Sequence, residues 1–123
     1  SLNGDQIPED ATITMLKVVD GYLYVGTKEH GLYAWLPEAG WLGIGITENM
    51  GAINDMVIFN HRGDTSNRWI FIATESGLLS LDIDEETNEP RLSSYSDGNI
   101  KQVVRTKDGL AVLIKDKGIA YIR

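Results

Sequence analysis

The chain repeats one pattern of apolar and polar positions three times. Each copy is an apolar run, a short polar turn, a glycine and a second apolar run. The copies read GYLYVGTKEHGLYAW from Gly21, RWIFIATESGLLSLD from Arg68 and GLAVLIKDKGIAYIR from Gly109. Aligned on the central turn, Thr27 matches Thr74 and Lys115. The period of roughly 40–45 residues is typical of proteins built from stacked repeats.

A further apolar segment precedes each copy, and a short one follows the first two. The preceding segments are ITMLKVV, INDMVIF and IKQVVRT, which align Ile13, Ile53 and Ile100. The following segments are WLGIGI and RLSSY. Segments of about 5–7 residues that are rich in β-branched and aromatic side chains, and bounded by turn formers, predict strands. The Asp-Gly pairs in VDGY and KDGL are strong hairpin signals. Each repeat is therefore predicted to be a four-stranded antiparallel sheet.

The second strands of the repeats, YLYV, WIFI and AVLI, are apolar at every position. A strand with one solvated face alternates apolar and polar residues, so these strands need cover on both faces. Small antiparallel sheets stacked face to face at this period are the blades of a β-propeller. We predict an all-β single domain, residues 1–123, with blades at about 11–47, 52–96 and 99–123. We also expect Trp69 and Phe71 to lie in contacts between blades.

Closure of the ring needs more than three blades, because closed propellers typically have four to eight. An open stack would leave apolar sheet faces in water. We expect two chains to associate head to tail as a homodimer with a six-bladed ring. An N-terminal strand at about residues 1–8 would complete the third blade of the other chain. Two alternatives stay open: the chain is a piece of a longer propeller, or a different partner chain completes the ring.

The first repeat, DGYLYVGTKEHGLYAW, resembles the blade repeat of two-component-regulator-type propellers. The shared features are an aromatic-rich strand, Gly-Thr, a short turn, Gly-Leu and an aromatic residue. The second repeat has Ala73 in place of the first glycine, and the third has Ile114 and Lys115 in place of Gly-Thr. The resemblance implies a non-enzymatic sensor or scaffold module, often on the outer side of a bacterial membrane.

Composition narrows the classes of partner. The chain is 42% hydrophobic and 24% charged, as is usual for a globular protein in water. Its net charge of −7 disfavours nucleic acid and anionic membrane surfaces as partners. It has no cysteine, which excludes disulfides and thiolate metal sites but leaves cytoplasmic, periplasmic and extracellular locations open. No apolar run approaches the ~20 residues that span a bilayer.

Catalytic and metal motifs are weak in this sequence. HRGD, from His61, contains the tripeptide of integrin ligands, but we expect a solvated loop. DIDEETNEP, from Asp82, lacks the central glycine and the terminal glutamate of a calcium loop. His30 and His61 fall in loops of different classes, so they are not expected to share a metal. No Gly-x-Ser-x-Gly elbow occurs. We therefore expect no catalytic residue, no metal and no cofactor.

One rim of a propeller collects the turns between second and third strands together with the links between blades, and it commonly binds ligands. The rim predicted here consists of Lys28, Glu29, His30, Glu48, Asn49, Met50, Glu75, Ser76, Asp97, Asn99, Lys115, Asp116 and Lys117. Its mixed charge favours a binding or scaffold module for a protein or a polar ligand. The alternative is a carbohydrate-active propeller. It would be an oligomeric lectin with Trp35, Trp41 or Trp69 as platforms, or a glycosidase using two of the eighteen acidic residues.

Overall fold

The computed structural model describes residues 7–19, 21–38, 40–44, 51–60, 68–83 and 90–122. In this part of the chain all regular structure is β, with eleven strands in three antiparallel sheets and no helix. The chain divides into two compact units, Ser1–Ile53 and Asn54–Arg123. The all-β prediction and the prediction of three antiparallel sheets are confirmed.

The strands follow the predicted apolar segments, and neighbours in sequence are neighbours in each sheet. The first sheet comprises β1 (Ile13–Val19), β2 (Tyr22–Thr27), β3 (Leu32–Leu36) and β4 (Gly40–Ile44). The second sheet comprises β5 (Ile53–Asn60), β6 (Arg68–Thr74), β7 (Gly77–Ile83) and β8 (Pro90–Asp97). The third sheet comprises β9 (Ile100–Arg105), β10 (Leu110–Ile114) and β11 (Gly118–Ile122). The strand predicted at about residues 1–8 lies mostly outside the described residues; Ile7 and Pro8 belong to no strand.

Glycine closes the hairpin between the second and third strands of every sheet. Gly31, Gly77 and Gly118 have φ values of 83°, 151° and 95°. These backbone conformations are costly for residues with a Cβ atom, so glycine is the residue that allows the chain to re-enter the sheet. The alignment of these three glycines, seen in the sequence, therefore has a common conformational cause.

The middle of the second sheet, where β6 and β7 pair, is buried on both faces. On one face, Phe71, Ala73 and Leu78 form an apolar cluster with side chains of the third sheet. The members from that sheet are Ile100, Val103, Leu110 and Val112. On the other face Ile72 and Leu79 are also buried. Cover on both faces, as the uninterrupted apolar pattern predicts, is therefore confirmed for β6.

Phe71 and Trp69 lie two residues apart, on the same face of β6, but they differ in burial. Phe71 is 5% exposed and lies in the cluster with the third sheet, which confirms its predicted place between two sheets. The prediction for Trp69 is wrong, because this side chain is 37% exposed. Trp69 lies near the start of the strand, two residues before Phe71. Its ring packs on Phe71 at a centroid distance of 6.3 Å, and it is not part of the buried cluster.

Strand pairing corrects the alignment of the third repeat by one residue. Thr74 pairs with Gly77, and Ile114, not Lys115, pairs with Gly118. The first strands agree, because Thr27 pairs with Ile13 and Ile114 pairs with Ile100, each beside a register shift. A shift by one residue moves every side chain to the other face of a sheet. The correction therefore decides which faces of the three sheets are equivalent.

Candidate functional site

The turn of the first predicted rim segment rests on a buried threonine. The Thr27 backbone N–H donates to the Gly31 carbonyl at 3.0 Å. The Thr27 hydroxyl donates to the same carbonyl at 2.8 Å and accepts from the His30 N–H at 2.9 Å. Thr27 is fully buried, whereas Lys28 and Glu29 are exposed. The base of this turn is thus fully bonded while its two charged side chains point to solvent.

The second sheet builds its turn in the same way. The Thr74 hydroxyl donates to the Gly77 carbonyl at 2.8 Å and accepts from the N–H groups of Ser76 and Gly77, each at 3.1 Å. Thr74 is buried, and Glu75 and Ser76 are exposed. The sequence aligned the two threonines but did not reveal this role. The available signal was a threonine at the end of an apolar strand, directly before a short turn that ends in glycine.

The third sheet reaches a similar turn without threonine. Ile114 takes the place of Thr27 and Thr74, and its carbonyl accepts from the Lys117 N–H at 3.1 Å. Asp116 has a φ of 65°, a left-handed conformation that Asp tolerates better than most residues in turns. Lys115, Asp116 and Lys117 are all exposed. A backbone turn therefore replaces the side-chain hydroxyl and presents three charges.

In the first and third sheets the link before the first strand lies beside the turn between the second and third strands, and in the second sheet the end of the last strand does. In the first sheet the Lys28 N–H donates to the Thr12 carbonyl at 2.9 Å, and in the third the Lys115 N–H donates to the Asn99 carbonyl at 2.9 Å. In the second sheet Asp97, the last residue of β8, pairs with Gly77. Both loop classes of the predicted rim thus meet at one end of a sheet. Glu48, Asn49 and Met50, also predicted for the rim, lie outside the described residues.

Two predicted rim residues have structural partners. The Asn99 side-chain oxygen accepts from the Asn54 amide at 3.1 Å, and the same amide donates to the Ile100 carbonyl at 2.7 Å. His30 Nε2 lies 3.4 Å from Asp10 Oδ1, and the imidazole is about a third exposed. Asn99 therefore joins β5 to the start of β9, and His30 lies against a carboxylate. The other histidine, His61, and the HRGD motif lie outside the described residues.

The opposite end of the third sheet carries a comparable turn, the one for which the Asp-Gly pair of KDGL predicts a hairpin. The Thr106 N–H donates to the Gly109 carbonyl at 2.8 Å, and the Thr106 hydroxyl accepts from the Gly109 N–H at 3.0 Å. The same hydroxyl lies 2.6 Å from the Tyr121 hydroxyl. The exposed Lys107 of this turn and Lys117 lie at opposite ends of β10. The two lysines therefore form a matched pair for comparing the ends.

Comparisons with known proteins identify no relative: no family model, no curated protein and no solved structure matches the chain. The resemblance to two-component-regulator-type propellers therefore stays a hypothesis. Among the residues described, no three His, Asp or Glu side chains are grouped so that they could hold a metal ion. The described part also contains no helix long and apolar enough to cross a membrane.

Proposed function

We propose that the chain is a non-catalytic binding or scaffold module that recognises a protein or a polar ligand through one rim of a β-propeller. One observation carries this proposal. Each of the three sheets presents exposed polar residues on a short turn whose base is closed by hydrogen bonds. A bonded base fixes the position of the side chains above it, which lowers the entropy lost on binding.

The chemistry of the exposed residues favours a polar partner. Lys28 and Glu29 of the first turn carry opposite charges, as do Asp116 and the lysines on either side of it in the third turn. Mixed charge gives specificity for a surface with the complementary pattern and little attraction for a polyanion. The net charge of −7 acts in the same direction. A protein surface or a zwitterionic ligand is the partner class that fits.

The three sheets are proposed to be consecutive blades of the ring. Their extents are Ile13–Ile44, Ile53–Asp97 and Ile100–Ile122. They agree with the blade ranges expected from the sequence, except that β8 runs one residue past the expected end of the second blade. Three blades fall below the four to eight of closed propellers. The remaining blades would come from a second copy, giving six blades, from a different chain, or from further repeats of a longer chain. The equivalence of strand register between the first and third sheets supports a common blade design.

Site-specific cross-linking tests the rim. The chain has no cysteine, so Lys117→Cys and Lys107→Cys each create a single attachment point for a benzophenone label. The two labelled proteins are incubated with cell extract and irradiated, and the products are identified by mass spectrometry. We expect one protein or ligand to be captured from position 117 and not from position 107. Equal capture from both ends, or none, would contradict a role for this rim.

Carbohydrate binding is the second candidate, and one observation favours it. Trp35 and Trp41 pair across β3 and β4 with ring centroids 5.1 Å apart at 66°, and both rings are half-buried. A partly exposed aromatic pair can stack on a sugar face while keeping its own apolar contacts. Under this alternative, glycan-array binding is retained in Trp69→Ala and lost in Trp41→Ala. An array without hits removes the candidate.

A further inference from the structure

The third sheet has one apolar face in water. The face opposite the buried cluster carries Gln102, Val104, Ala111, Leu113, Ile119 and Tyr121, none of which is charged. Five of these six line a shallow depression of about 150 Å³, in which Leu113 is 38% and Ile119 79% exposed. A space of this size is large enough for a benzene-sized apolar group. We call this surface the third-sheet face.

The first sheet also has an apolar face in water. Strand pairing places Leu16 with Val25 and Val18 with Leu23 on the side opposite Gly26. Ile13 lies on this side as well, because a register shift follows its pairing with Thr27. Ile13 is 51% and Leu16 69% exposed. We call this surface, made by the exposed side chains of Ile13, Leu16 and Val18 on β1, the first-sheet face.

The buried cluster of the second unit shows how such faces fit together. There Ala73 and Leu78 of the second sheet share a cluster with Ile100 and Val103 of the third, and all four are fully buried. The corrected register makes Leu113 and Ile119 the equivalents of Ala73 and Leu78. It also makes Ile13 and Leu16 the equivalents of Ile100 and Val103. The positions that are buried inside the cluster are thus the positions exposed on the two free faces.

A repeated polar contact points the same way. The Thr14 hydroxyl donates to the Ile53 carbonyl at 2.6 Å, and the Asn54 amide donates to the Ile100 carbonyl at 2.7 Å. Each donor directly follows the aligned isoleucine of its own repeat, Ile13 or Ile53. Each acceptor is the carbonyl of the aligned isoleucine in the next repeat. In the third repeat this donor position holds Lys101, whose side chain is exposed. Its ammonium group is therefore available to the carbonyl of a further aligned isoleucine.

We propose that the third-sheet face of one chain binds the first-sheet face of a second copy, head to tail. Ile13 and Leu16 of the second copy pack against Leu113 and Ile119, and Lys101 donates to the Ile13 carbonyl. The inference rests on the proposed function, since it treats the sheets as blades. The occupant is a second copy because the chain itself carries the complementary face. Chains joined head to tail form either a closed ring or an open filament. A ring of two copies would have six blades, which is within the four to eight of closed propellers.

Cross-linking between copies tests the orientation directly. An equimolar mixture of Ile13→Cys and Leu113→Cys chains is oxidised at micromolar concentration, with the mixture of Lys107→Cys and Leu113→Cys as its control. We expect a disulfide-linked dimer of about twice 13.6 kDa in the first mixture, at least ~10-fold more abundant than in the control. Neither Ile13→Cys nor Leu113→Cys alone should cross-link appreciably, because a head-to-tail contact does not bring identical positions together.

The mass of the unmodified chain and of Leu113→Glu completes the test. We expect the unmodified chain to be dimeric and Leu113→Glu to be monomeric, with a dissociation constant raised at least ~100-fold and an unchanged circular dichroism spectrum. A folded monomer of the unmodified chain, or strong self-cross-linking of Leu113→Cys, overturns the inference. Capture from position 117 in the Leu113→Glu background separates the two proposals. If position 117 still captures a partner but the unmodified chain is monomeric, the proposed rim function is retained and the proposed dimer is rejected.

Discussion

The second and third sheets are built from the same repeat but have different surroundings. In β6, both Ile72 and Ala73 are fully buried, so each face of that strand is covered. In β10, Val112 is buried but its neighbour Leu113 is 38% exposed. The apolar pattern alone therefore specifies that both faces are suited to burial. Whether both are buried depends on a neighbour that the repeat cannot supply for itself.

The turns of the same two sheets teach a second lesson. Thr74 closes its turn through a buried hydroxyl that makes three hydrogen bonds, whereas the equivalent Ile114 uses only its backbone carbonyl. Both turns thus end in a glycine, Gly77 or Gly118, but the first is closed by a side-chain hydroxyl and the second by a backbone carbonyl.

The largest expected effect concerns the covered face. Phe71→Ala should lower the free energy of unfolding by about 3–5 kcal/mol, because it empties part of the cluster between the second and third sheets. Trp69→Ala should cost only about 1–2 kcal/mol, since this side chain is 37% exposed and lies outside the buried cluster. Denaturant unfolding of both variants measures the contrast. Equal losses would contradict the different burial of the two rings.

A second prediction compares the first sheet with the second at one equivalent position. Gly26 leaves no room for a Cβ atom, which would lie 2.7 Å from Ile53 Cβ and Cγ2. Gly26→Ala should therefore destabilise the chain by about 1–3 kcal/mol through overpacking. Ala73, at the equivalent place, already has its Cβ inside the buried cluster. A neutral Gly26→Ala variant in thermal unfolding would show that the Ile53 contact is looser than described.

The third prediction concerns the buried hydroxyl at the turn of the second sheet. Thr74→Val keeps the shape of the side chain but leaves the Gly77 carbonyl and N–H without their buried partner, at a cost of about 1–3 kcal/mol. The matched control is Thr106→Val, whose hydroxyl bonds lie nearer to solvent and should be worth about 0.5–1.5 kcal/mol. If the control proved the more damaging, the buried threonine would not be the base of the turn.

Much of the fold could be predicted from local pattern, because apolar runs and glycine turns have local causes. The strands and the role of Gly31, Gly77 and Gly118 follow from backbone preferences that each segment carries itself. The one-residue shift at Ile114 could not be read in the same way, because pairing register depends on turn geometry and on partner strands. The exposure of Trp69 could not be read from the strand pattern either, because Phe71, two residues later on the same strand, is buried.

The location of the candidate site could be predicted from the sequence, but the contacts of its residues could not. Turn residues such as Glu29 and Lys117 are polar, and polar turns between apolar strands reach solvent almost wherever they occur. The use of Asn99 as a partner of Asn54 was not predictable, since it joins residues far apart in sequence. The two free apolar faces also became visible only when strand pairing assigned each residue to a side.

If the third-sheet face and the first-sheet face are the two halves of one interface between copies, mixing two variant chains tests this most directly. Leu113→Glu damages only the third-sheet face and Ile13→Glu only the first-sheet face, and both positions are exposed within one chain. Light scattering should find each variant monomeric, whereas their equimolar mixture forms dimers because one intact pair of faces remains. A mixture that stays monomeric, beside a dimeric unmodified chain, would contradict the head-to-tail interface.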